Sequence, residues 1–123
     1  RIMHRSMMQV YIKDSANAVQ FYENAFDAKV LCNHQNADGT VAHAELDIFG
    51  QIFAICEARE QEVITGNLMK FCLHFGEDKE EIVKSIIEQL SDGGEFTYHG
   101  ATDWSPLLAG IIDKFGVNWC IFV

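Results

Sequence analysis

Hydrophobic and polar positions along this chain alternate with two periods, one of two residues and one of about 3.6. Over Met7–Lys13, Met8, Val10 and Ile12 fall on one face and Met7, Gln9 and Tyr11 on the other, which predicts a strand with its apolar face toward a helix. From Ala18 the spacing becomes helical: Ala18, Val19, Tyr22, Ala25 and Phe26 form one stripe, with Asp14 or Ser15 placed to cap the first amides. A short strand follows at Lys29–Cys32, then a turn at Ala37-Asp38-Gly39. Val41–Ile48 alternates again, setting Ala44, Leu46 and Ile48 against His43, Glu45 and Asp47, and Gln51–Cys56 returns after Gly50.

The second half repeats this order. Ala58–Asn67 is charged and turn-like, Phe71–Phe75 reads as a strand, and Lys79–Leu90 is amphipathic with Ile82, Val83, Ile86, Ile87 and Leu90 on one stripe. Ser91-Asp92-Gly93-Gly94 stops the helix, and Glu95–Tyr98, Leu108–Asp113 and Val117–Val123 supply three strands. Moving Ala18, Val19, Tyr22 and Phe26 by 64 positions lands on Ile82, Val83, Ile86 and Leu90. The reading is an α+β fold of two βαβββ modules, about 7–57 and about 69–123, in a single domain of 123 residues. Side by side, the modules would make a curved eight-stranded mixed sheet with helices outside and a cup inside.

Composition narrows the function classes. Nine basic against eighteen acidic side chains give a net charge of −9, which repels a phosphate backbone and excludes nucleic acid as a partner. No apolar run approaches the roughly 20 residues of a membrane span, and the first residues lack the apolar stretch of a secretory signal, so a cytoplasmic location and no membrane partner are expected. An opening on Arg1 rather than Met points to a natural start slightly different from this one. Cys32, Cys56, Cys72 and Cys120 stand singly in apolar segments, the pattern of reduced thiols rather than of a disulfide frame or a zinc site.

Several stretches carry a family resemblance: Phe21-Tyr22 with Ala25-Phe26, His43-Ala44-Glu45-Leu46, Ser91-Asp92-Gly93-Gly94, Trp104-Ser105-Pro106 and Asp113-Lys114-Phe115-Gly116-Val117-Asn118-Trp119. On these the chain resembles the vicinal oxygen chelate superfamily of glyoxalase I, bleomycin-resistance proteins and extradiol dioxygenases, and within it the PhnB-like (demethylubiquinone methyltransferase-like) branch. The resemblance implies a homodimer. It also implies a divalent metal held by a His on the first strand, a Glu closing the first module, a His opening the second and a Glu on the last strand. Those places fall at Met7, at Cys56 or Glu57, at Lys70 or His74, and at Cys120. Most of these are poor donors for a hard divalent ion, so the expectation is no metal cofactor.

The leading expectation is therefore a metal-free protein that binds a small molecule. Its candidate ligand-binding residues are Gln9, Tyr11, His43, Glu45, His74, Trp104 and Cys120. The second hypothesis is an enzyme of lyase, isomerase or oxygenase type, using His43 as a base or His43, Glu45 and His74 as an unusual metal set. The third is a structural or interaction protein with a vestigial cup. His43 and Glu45 also fit a solvated edge or dimer contact, and two registers for His74 stay open, one toward its helix and one into the cup. Trp104 is placed to lid a pocket. Trp119 reads as helix-facing core, and no cationic neighbour in sequence activates Cys120.

Overall fold

The computed structural model describes residues 2–123. Its strands hydrogen-bond in two sets of four, one per module. The first compact unit, up to Val63, contains β1 (Met8–Ile12), α1 (Ser15–Phe26), β2 (Lys29–Gln35), β3 (Val41–Ile48) and β4 (Gln51–Glu57). The second, from Ile64, contains β5 (Phe71–His74), α2 (Glu80–Leu90), β6 (Glu95–Gly100), β7 (Leu108–Ile112) and β8 (Asn118–Phe122). The sheet orders are β1-β4-β3-β2 and β5-β8-β7-β6, with the first strand of each parallel to the last and the other pairs antiparallel. The two βαβββ modules anticipated from the repeat are thus present, with matching topology.

In the first unit α1 buries Ala18, Val19, Tyr22, Ala25 and Phe26. Its partners are on alternate sheet positions: Ala44, Leu46 and Ile48 of β3 and Phe53 and Ile55 of β4 are all buried. Tyr22 meets the Phe53 ring edge-on at 4.9 Å. Each of the larger aliphatic and aromatic side chains here contributes roughly 1.5–3 kcal/mol on burial. In the second unit Val83, Ile86, Ile87 and Leu90 of α2 are buried, as are Ala109, Ile111, Trp119 and Ile121 of the sheet. The repeat holds at three of its four helical positions. Ile82, the counterpart of buried Ala18, is 43% exposed, because a bulky side chain at the margin of the stripe is left outside.

Three local expectations are corrected. Asp14 takes a left-handed conformation and makes no side-chain cap; the α1 amide of Ser15 donates instead to Glu57 Oε1 on β4, at 3.0 Å. Ser15 Oγ also donates to that oxygen at 2.7 Å and accepts from Val41 N at 2.8 Å, so a buried hydroxyl joins helix, β3 and β4. Next, β2 runs to Gln35 rather than Cys32. Polar residues continue it because backbone pairing with β3 does not depend on side-chain polarity, and register shifts after Val30 and His34 accommodate the extra length. Finally, α2 ends on right-handed Ser91, and the positive φ of 74° comes two residues later at Gly93.

The tail motif is a buried polar lock. Asp113 Oδ1 accepts from Phe115 N at 2.9 Å and Val117 N at 3.0 Å, and Oδ2 accepts from Trp119 Nε1 at 2.9 Å. Gly116, at φ 89°, lets the turn close with Gly116 N on Asp113 O and Asp113 N on Val117 O. Ser105 does similar work nearby: it accepts from Leu107 N, and its Oγ lies 2.7 Å from Val123 O.

Asp113→Ala strands two amides and an indole N–H away from water, and is expected to lower stability by at least about 1–3 kcal/mol in urea unfolding. In Gly94→Ala the new Cβ would overlap the Ile112 carbonyl oxygen and lie 3.0 Å from Asp113 Cα, whereas Gly66 has open space around it. The expected loss is about 1–3 kcal/mol for Gly94→Ala and under about 0.5 kcal/mol for Gly66→Ala, read as urea midpoints at constant slope. Equal midpoints for the two variants would refute the close approach.

Candidate functional site

Because each helix covers one sheet face, alternation turns the remaining side chains to the opposite face. In the first unit these are Gln9 and Tyr11 of β1, His43 and Glu45 of β3 and Cys56 of β4, with Cys32 of β2 paired to Glu45. All four first-unit site residues expected from the sequence therefore share one surface. Tyr11 is half exposed and its hydroxyl accepts from Gln9 Nε2 at 2.8 Å.

Glu45 organises this surface. Arg5 reaches it from the N-terminal segment in a bidentate pair, Nη1 to Oε1 at 2.6 Å and Nη2 to Oε2 at 3.0 Å, and His43 Nε2 lies 2.8 Å from Oε2. The hydrogen bonds from Arg5 first, and from His43 second, hold the Glu45 carboxyl down to about 2 against the burial that opposes them. An ionised carboxylate only accepts, so His43 Nε2 donates to Glu45 Oε2. Nδ1 faces Cys56 Sγ at 3.6 Å. Burial pushes the Cys56 thiol up, which favours its protonated form. The result is a chain of three groups, Cys56–His43–Glu45, anchored by Arg5. Sequence reasoning missed Arg5, which lies 40 positions from Glu45 in a segment without periodicity.

In the second unit His74, Trp104 and Cys120 gather on the face turned away from α2. The open question of His74 is resolved by register: Phe71 and Leu73 pair with buried Trp119 and Ile121, so His74 lies on the other side and stacks on Phe122 at 4.4 Å. Trp104 meets Phe122 edge-on at 5.4 Å and remains 66% exposed. Trp119 is fully buried on the helix side, as expected. Cys120 pairs with Cys72 across β5 and β8. Burial, and then the neighbouring Cys72, raises the Cys120 thiol. Asn118, on the same strand face, has a buried Oδ1 with no hydrogen-bond partner among the described residues, an acceptor that the sequence pattern did not single out.

These donors do not suit a hard divalent ion. Both Glu45 oxygens are engaged by Arg5 and one also by His43. Glu57 is turned to the α1 side, where it receives Ser15, which leaves Cys56 at that place. Among the described residues no three His, Cys, Asp or Glu side chains are grouped to hold a metal. No helix described is long and apolar enough to cross a membrane.

The depressed Glu45 value has a pH consequence. With a folded value near 2 and an ordinary value of 4.5, its stabilisation is complete above 4.5 and is lost as pH falls from there toward 2. The stability gap between the wild type and Glu45→Gln should therefore shrink across that window. A gap independent of pH between 5 and 2 would contradict the ionised pairing.

Neither a family model nor a curated protein sequence matches the chain. By contrast 126 solved chains match in structure, so the likeness is carried by backbone geometry. A PhnB protein from Bacillus cereus superposes with a TM-score of 0.82 at 19% identity, over 97% of this chain and 98% of that one. Protein PA1353 from Pseudomonas aeruginosa gives 0.79 at 17% identity, over 98% and 97%. The fosfomycin resistance protein FosX from Listeria monocytogenes gives 0.74 at 13% identity, over 99% and 94%, and a variant of it is solved in complex with Mn(II) and 1S,2S-dihydroxypropylphosphonic acid. The chain thus has the fold of the vicinal oxygen chelate superfamily, and its structural neighbours include the PhnB-like branch that its motifs resemble.

Proposed function

We propose that this chain is a PhnB-like member of the superfamily that binds a small, partly apolar molecule without a divalent metal, on the first-unit face formed by Gln9, Tyr11, His43 and Glu45. The observation that carries this is the Arg5–Glu45–His43 arrangement. It neutralises the one buried carboxylate on that face among the described residues and fixes an imidazole beside an exposed phenol and amide. A preformed polar set of this kind orients a ligand at little ordering cost. His74, Trp104 and Cys120 offer a second, aromatic contact surface. Homodimer formation, on the strength of the resemblance, and a cytoplasmic setting, on the strength of the free cysteines, belong to the same proposal.

A second reading makes the protein an enzyme with His43 as a metal-free base. It rests on the hydrogen bond that His43 Nε2 donates to Glu45, since Nδ1 is then the nitrogen left to act as the base once the Cys56 thiol rotates away.

Saturation-transfer NMR against a metabolite library should find binders whose affinity falls about tenfold or more in His43→Ala, in line with the loss of one charge-assisted or buried hydrogen bond. Dialysis against zinc, nickel, manganese and iron should leave less than stoichiometric metal. Binders indifferent to both His43→Ala and Tyr11→Phe would sink the assignment of this face. A stoichiometric divalent ion lost in His43→Ala would sink its metal-free character. Turnover of a bound compound that vanishes in His43→Ala would establish the second reading.

A further inference from the structure

We infer that Cys72 and Cys120 form a two-thiolate site for a soft, thiophilic monovalent cation of the Cu(I) class, on the second-unit sheet face turned away from α2. This reading is independent of the first-unit ligand face.

The two residues are direct partners across parallel strands β5 and β8, and both are free thiols. Cys72 is exposed and Cys120 half-buried, so an ion reaches the pair from solvent. Side chains stand roughly perpendicular to a sheet, and neighbouring strands lie about 4.7–4.9 Å apart. Direct cross-strand partners on one face therefore carry their sulfurs side by side, within reach of a single ion.

Donor number selects the ion. Structural zinc asks for four ligands. Among the described residues no third His, Cys, Asp or Glu joins this pair as a metal group. Two soft thiolates satisfy Cu(I), which accepts two-coordinate geometry. On binding, each thiol releases its proton to solvent, the ion gains two sulfur ligands, and the metal stays at +1 with no electron transferred. The Lys70 ammonium lies near enough to Cys120 to offset part of the negative charge of the resulting centre. Cys120 also occupies a place where the resemblance implies a carboxylate, so the substitution changes the class of ion from hard to soft.

Anaerobic titration of the full chain with Cu(I) against a chromophoric Cu(I) chelator tests this. One ion per chain is expected, with thiolate-to-copper ultraviolet absorption and no displacement by equimolar zinc. Cys72→Ser and Cys120→Ser should each weaken binding by more than about tenfold, while Cys32→Ser and Cys56→Ser keep it. Circular dichroism of Cys72→Ser, whose side chain is exposed, verifies that the variant is folded. Unchanged affinity in folded Cys72→Ser, an ion that follows Cys56, or one ion shared by two chains would each overturn the inference.

Discussion

A single helix covers one face of each four-stranded sheet, and hydrophobic burial at about 25 cal/mol per Å2 fixes which face that is. On β3 the helix takes Ala44, Leu46 and Ile48; on β8 it takes Trp119 and Ile121. Period-two alternation then leaves no choice for the residues between them. His43 and Glu45 in one unit, and Cys120 and Phe122 in the other, are delivered to the uncovered face by the same packing that builds the core. The candidate chemistry is a by-product of where the helices must sit.

Polar groups do the work of holding these helices and turns in place. Glu57 serves α1 as a cap from a neighbouring strand, and Ser15 passes the link on to β3. Asp113 satisfies two turn amides and an indole at once, which accounts for the Asp-Lys-Phe-Gly-Val-Asn-Trp string as a structural lock rather than a catalytic one. Ser105 in Trp104-Ser105-Pro106 ties its loop to the carbonyl of Val123. The motifs that carry the family resemblance are largely instructions for folding, so they bring the fold with them without bringing an activity.

At two of the places where the resemblance implies metal ligands, this chain has thiols: Cys56 lies against an imidazole and Cys120 beside Cys72, while Glu45, elsewhere on the first-unit face, is already engaged by Arg5. Electrostatics therefore separates the two surfaces. The first presents a fixed ion pair with a histidine bound to its carboxylate, and the second presents thiols beside an aromatic stack.

By itself the sequence determined the element order, the duplicated βαβββ plan and the faces of β1, β3 and both helices, because period and burial are local properties of the chain. It also placed Trp119 in the core and Gln9, Tyr11, His43 and Glu45 on one surface. It could not determine pairings between distant positions. That Arg5 closes on Glu45, that Glu57 caps α1, that Cys72 lies beside Cys120 and that His74 turns away from α2 all depend on strand register and backbone path. Those were decided only by the tertiary structure, since a side chain's partner across a sheet is set by how the whole sheet pairs, and a shift of one residue would have reversed every face.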